Sequence, residues 1–188
     1  MRIIAGASRG RALTSVGKGD TGAHLRPTTD RVRESLFNVL NHQIDFDGLR
    51  VLDLFAGTGA LGLEALSRGA SYVTFVDDGR AAQTLIRKNI ELTGSNDRTD
   101  LIRRDATRLG DNPDMPYDLV FLDPPYGKAL GQKALTAITQ GGWLADDALI
   151  VWEENASMTA PEGFDLHDAR KYGDTYISLM WWNGTRHA

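Results

Sequence analysis

Four aspartates in this chain of 188 residues stand where a short apolar run stops. Asp53 lies in Val51-Leu52-Asp53-Leu54, Asp77 closes Tyr72-Val73-Thr74-Phe75-Val76, Asp105 follows Asp100-Leu101-Ile102-Arg103, and Asp123 closes Tyr117-Asp118-Leu119-Val120-Phe121-Leu122. Apolar runs of this length read as buried strands. Strand ends of an open α/β sheet share one edge, and ligands bind there. Asp123 opens Asp123-Pro124-Pro125-Tyr126. Two prolines fix φ near −65° twice and remove two backbone donors, and Pro124 keeps Asp123 out of the helical region. This makes a stiff ledge: a carboxylate, free backbone carbonyls, then an aromatic face. Asp123 and a proline carbonyl can accept the two N–H bonds of an exocyclic amine, while Tyr126 stacks on the ring that bears it. An Asp-Pro-Pro alone fits a rigid capped loop equally well.

The second constellation is Asp53-Leu54-Phe55-Ala56-Gly57-Thr58-Gly59, between the first strand and a helix. Gly57 and Gly59 allow close backbone approach to a ligand, and the helix start offers free N–H groups. Asp53 can accept from a cationic amine or an ordered water. Asp77 can take both hydroxyls of a ribose. Asp105 can accept from an adenine amine. A dinucleotide enzyme is the rival reading, because Gly57-Thr58-Gly59-Ala60-Leu61-Gly62 matches G-x-G-x-x-G and Asp77 lies 20 residues past Gly57. Against it, Asp53 would repel a pyrophosphate, Asp-Pro-Pro-Tyr has no part in hydride transfer, and about 65 residues after it are too few for a substrate domain of ordinary size.

The elements that must position these groups alternate. Strands are expected at 51–54, 72–77, 100–103, 117–122 and 148–153, with helices at 59–68, 80–92 and 128–139. This alternation implies a mostly parallel sheet covered on both faces, with right-handed crossovers. Residues 164–171 and 175–182 read as an antiparallel hairpin around Tyr172-Gly173-Asp174, which departs from the dehydrogenase plan. Trp152, Trp181 and Trp182 fall on strands and read as packing residues. Residues 2–13 suggest a small hairpin and 15–24 a loop. A helix begins after Thr28, Thr29 or Asp30, with Val32, Leu36, Val39 and Leu40 on its apolar face and Arg31 and Arg33 pointing away.

Length and composition fit one domain, with 1–45 as an extension and 46–188 as the core. A hydrophobic content of 41% and a charge content of 24% are those of a globular protein, and no run suits a membrane span or a signal peptide. The absence of cysteine excludes disulfides and thiolate chemistry, and His24, His42, His167 and His187 lack metal-ligand spacing. No metal is expected, and a cytoplasmic location is. The net charge is −4, yet residues 1–33 carry seven Lys or Arg against two Asp, a net of +5 that leaves −9 for the rest. A basic arm on an acidic body suits phosphate contact, although a solvated start would look the same.

On these motifs the chain resembles a class I S-adenosylmethionine-dependent methyltransferase of exocyclic amines, and more narrowly the RsmD family of guanine-N2 methyltransferases acting on small-subunit (16S) ribosomal RNA. The resemblance runs through Arg2–Gly6, Arg9-Gly10-Arg11, Leu25–Asn38, Asp53–Glu64, Asp123–Tyr126 and Gly142-Trp143-Leu144. The Arg26-Pro27-Thr28 stretch is the more specific part. It departs where the family usually has Glu and this chain has Asp77, and where the family usually has Asp and this chain has Gly79.

The resemblance implies a Rossmann-like α/β methyltransferase sheet, mostly parallel, with a C-terminal antiparallel hairpin and a small N-terminal hairpin and helix. It implies S-adenosylmethionine held by Asp53, Phe55, Gly57, Gly59, Asp77, Asp105 and Ala106, and catalysis at Asp123, Pro124, Pro125 and Tyr126. It also implies RNA contact by Arg9, Arg11, Arg26, Arg31 and Arg33. The substrate would be small-subunit rRNA or the assembled subunit, and the protein would act as a monomer. The alternatives are a DNA adenine or cytosine amine methyltransferase and a non-catalytic RNA-binding or assembly module. The lack of a target-recognition domain argues against the first, and intact Asp53, Asp77 and Asp123 argue against the second.

Overall fold

The computed structural model describes residues 1–16 and 28–184. The expected alternation of strands and helices is present: β1 (Arg50–Leu54), α2 (Ala60–Ser67), β2 (Tyr72–Val76), α3 (Arg80–Thr93), β3 (Thr99–Ile102), β4 (Tyr117–Leu122), α4 (Leu130–Gln140) and β5 (Leu144–Glu154), preceded by α1 (Asp30–Leu40). The strands β6 (Phe164–Tyr172) and β7 (Thr175–Trp182) form the hairpin at the end. The sheet order is β3-β2-β1-β4-β5-β7-β6. Strands β1 to β5 pair in parallel, and β7 pairs antiparallel with both β5 and β6. β5 begins earlier than expected, because Leu144 already pairs with Tyr117 before an irregularity in register.

Side-chain alternation divides the core between two faces. Val51, Val73, Phe75, Leu119, Phe121 and Val151 pack against α1, α2 and α3. Leu52, Leu54, Val120, Leu122, Ile150 and Trp152 pack on the other face, with Ala134, Leu135 and Ile138 of α4. Both faces are covered, so the central strands read as near-continuous apolar runs. Trp152 is fully buried, in keeping with a packing role.

The N-terminal hairpin is small. It holds one bridge, Arg2 to Ala12, and backbone bonds from Ile3 to Arg11 and from Gly10 to Ile3. It lies along α2, clamped by fully buried Glu64. That carboxylate accepts from Ile4 N–H at 2.8 Å, Ala5 N–H at 3.1 Å and Arg68 Nε at 2.8 Å. Arg33 Nη1 stands 3.7 Å from the same carboxylate, while Arg33 Nη2 donates to the carbonyl of Arg2 and to Asp30. A buried carboxylate with this many donors is compensated for its desolvation.

Arg33 is therefore not on the outer face of α1, as expected from apolar periodicity. It is fully buried, and the buried stripe is Arg33, Leu36, Phe37 and Leu40. Its charge is used inside the protein, against Asp30, Glu64 and the Arg2 carbonyl. Arg31 is exposed, as expected, and Thr29 is the residue that caps the helix, accepting from Val32 N–H.

Candidate active site

The four aspartates do reach the carboxyl edge of the sheet, but they do different things there. Asp53 is buried, and its Oδ2 accepts from Gly62 N–H at 3.0 Å. It ties the strand end to α2 and does not line the cavity at this edge. Burial, only partly offset by the Gly62 bond, pushes its pKa up to about 8. Asp77 lines the cavity. Its two oxygens accept from Gly57 N–H and Gly79 N–H, both at 2.9 Å, so it braces the glycine loop against its own turn. Burial raises its pKa against those two bonds. Asp105 caps its own turn through Thr107, by N–H at 2.8 Å and Oγ1 at 2.7 Å. Asp105 and the buried Ala106 lie outside the cavity wall.

The loop backbone is built for its place. Gly57 has φ +59° and Gly59 has φ +76°, in the left-handed region that glycine adopts without a Cβ clash. Buried Asn89 on α3 fastens the loop by donating to the carbonyl of Thr58 at 2.9 Å and exchanging bonds with Thr14. Phe55 and Gly57 line the cavity, whereas Gly59 stands behind it and opens α2.

Asp123 projects on the same side of the sheet as Asp53, two residues past Phe121, which pairs with Asp53 in register. Pro124, Pro125 and Tyr126 line the cavity beside it. Burial first, then Glu153, Asp53 and Glu154, hold the Asp123 carboxyl well above the usual carboxylate range. The half-buried Tyr126 reaches Glu153 Oε1 at 3.5 Å and Thr175 Oγ1 at 3.2 Å through its hydroxyl. Thr28 Oγ1 donates to Glu153 Oε2 at 3.4 Å. The β6–β7 turn thus stands at the same edge as the prolines.

Glu153, Thr28 and Asp78 also line this cavity, whose volume is about 680 Å³; the motifs point to Thr28 only as a helix cap and as part of Arg26-Pro27-Thr28, and to the two acids not at all. Glu153 carries the same signal as the aspartates, a carboxylate ending a buried strand. It is masked by its neighbour Glu154, which makes the end of β5 look like solvated charge. Among the described residues, no group of three or more His, Cys, Asp or Glu could hold a metal ion. None of the helices described is long and apolar enough to cross a membrane.

Arg9 and Arg11 are exposed. The turn that carries Arg9 packs on the C-terminal end of α2, where Ala7 N–H bonds the carbonyl of Ser67. It sits a helix length of about 12 Å from the glycine loop. Arg26 lies outside the described residues.

A parallel sheet with one antiparallel strand inserted next to its edge, a glycine loop after β1, an acid after β2 and Asp-Pro-Pro-Tyr after β4 define a class I methyltransferase. Comparison with known proteins narrows this. A family model described as Conserved hypothetical protein 95 matches residues 1–181. Ribosomal RNA small subunit methyltransferase D of Escherichia coli strain K12 is 41% identical over 183 residues, 95% of this chain and 88% of that one. The protein of that name from Haemophilus influenzae is 37% identical over 88% of this chain and 86% of its own. The solved structure of yhhF from Escherichia coli superposes with a TM-score of 0.83 at 36% identity, covering 98% and 99% of the two chains. The chain belongs to the RsmD family.

Proposed function

We propose that this protein transfers a methyl group from S-adenosylmethionine to the exocyclic N2 amine of a guanine in small-subunit ribosomal RNA. The observation that carries this reading is the cavity itself, with a braced glycine loop and Asp77 on one wall and Asp123-Pro-Pro-Tyr on the other. The names of the relatives support an rRNA substrate. The cofactor fits the first wall. Asp77 keeps lone pairs for ribose hydroxyls, Gly57 brings backbone close, and Phe55 and Ala82 offer apolar contact. Asp78 and Gly79 continue this wall beside Asp77.

S-adenosylmethionine supplies an electrophilic methyl group on a positively charged sulfur. The chain supplies the rest. A guanine leaves its stack at a cost of a few kcal/mol, and Tyr126 receives its face. Asp123 and the Pro124 carbonyl accept the two N–H bonds of the amine. Its lone pair is delocalised into the ring. Drawing the hydrogens out of plane localises that pair toward the methyl carbon. Asp123 accepts most strongly when ionised, and a nearby positive charge favours the ionised form. Orientation supplies much of the rate. A strong base is not needed, because the amine becomes acidic once methylated. Exposed Arg9, Arg11 and Arg31 contact RNA phosphates outside the cavity.

Labelled S-adenosylmethionine, offered with small ribosomal subunits, naked small-subunit RNA and duplex DNA from cells lacking this protein, tests the reading. Label in N2-methylguanosine from the ribosomal substrates alone is expected. Label in DNA adenine or cytosine would contradict it.

A further inference from the structure

Strands β4 and β5 run parallel with Leu122 opposite Trp152. One residue further on, this register brings Asp123 beside Glu153, on neighbouring strands about 4.8 Å apart. In-register neighbours project to the same face. Both line the cavity. Thr28 and Tyr126 are among the partners of Glu153 and fix its carboxylate from the rim. The site thus holds two adjacent carboxylates where the resemblance supplies one.

Two acceptors side by side match two donors side by side. The Watson–Crick edge of guanine offers that pair, N1–H next to the 2-amino group. Adenine offers an amine next to a bare N1 acceptor, which would face a carboxylate lone pair to lone pair. The repulsion between the two carboxylates is relieved by the same donor pair, consistent with the upward pull Glu153 exerts on Asp123.

We propose that Glu153 is a specificity-determining residue that accepts N1–H of the target guanine while Asp123 holds its 2-amino group. This rests on the guanine-N2 reading above. It adds a means of exclusion: a base with an acceptor at that position meets the Glu153 carboxylate lone pair to lone pair and is rejected.

The test uses the full chain and a small-subunit RNA bearing either guanine or 2-aminopurine at the methylated position. Both bases carry the 2-amino group that Asp123 holds, but 2-aminopurine has an acceptor at N1. Wild type should prefer guanine in kcat/KM by about 100-fold or more. In Glu153→Gln the amide can donate to that acceptor, and the preference should shrink by about 10-fold or more. Glu153→Asp, which keeps the charge, should retain most of the preference even where its rate falls.

A residue that merely propped up Tyr126 and Thr28 would lower both rates together. An unchanged ratio in Glu153→Gln, with wild type methylating guanine, would overturn the Glu153 assignment alone. Wild-type label on a different base would overturn the guanine reading, and this inference with it.

Discussion

The two walls of the cavity use the same residue type in opposite ways. On the β1–β2 side, Asp77 in the wall and Asp53 behind it turn to backbone N–H groups of Gly57, Gly79 and Gly62. On the β4–β5 wall, Asp123 is succeeded by two prolines that have no N–H to offer it, and it lines the cavity. The turn after each strand decides which job the terminal acid does. A glycine turn supplies donors and makes the acid a brace, whereas a proline turn withholds donors and makes it a contact for the substrate.

Removing charge from a brace should expose the cost of burying it. The pKa of Asp53 is about 8 in the folded protein against 3.8 for the free side chain. Its contribution to stability is complete below the lower value and is lost as pH rises through the upper one. Asp53→Asn keeps an acceptor for Gly62 but has no proton to lose. Its stability advantage over wild type should grow between pH 5 and pH 8 by roughly 2–4 kcal/mol, read from denaturant unfolding at each pH. A constant difference would show that Asp53 is not held protonated.

Crowding the same brace should do less. A Cβ at Gly62 would lie 2.6 Å from Phe75, 2.7 Å from Val73 and 3.1 Å from Asp53 Oδ2. Overpacking of this kind costs about 1–3 kcal/mol, against roughly 1 kcal/mol of helix propensity gained. Gly62→Ala should therefore melt a few degrees lower and bind S-adenosylmethionine more weakly. A higher melting temperature would mean that the helix yields freely.

The smallest effect belongs to the surface. Arg9→Gln with Arg11→Gln should leave cofactor affinity intact and flatten the dependence of RNA affinity on salt. The log–log slope should fall by roughly 0.7 for each phosphate that is no longer neutralised. An unchanged slope would remove both arginines from the RNA interface.

Much of the fold is legible in the chain, because the central strands are buried on both faces and stand out as apolar runs between glycine and proline turns. The strand-end acids are legible for the same reason. What each acid binds is not, since the donors come from backbone placed by the turn, as Gly62 is for Asp53. Arg33 is misread because the counter-charge that buries it, Glu64, sits on another helix 31 residues away. The local bonds of Asp105 are equally hidden, since Thr107, two residues on, supplies both donors.

The division of labour between the walls is tested most directly by measuring, side by side in Asp77→Asn and Asp123→Ala, the Kd for S-adenosylmethionine and the single-turnover methylation rate at saturating cofactor. Asp77→Asn should weaken cofactor binding about 10-fold or more while the saturated rate stays within about 3-fold of wild type. Asp123→Ala should bind cofactor within about 3-fold of wild type and lose at least about 1,000-fold in rate. Two variants that lose affinity and rate together, or an Asp123→Ala protein that still turns over, would contradict the assignment of one wall to the cofactor and the other to the base.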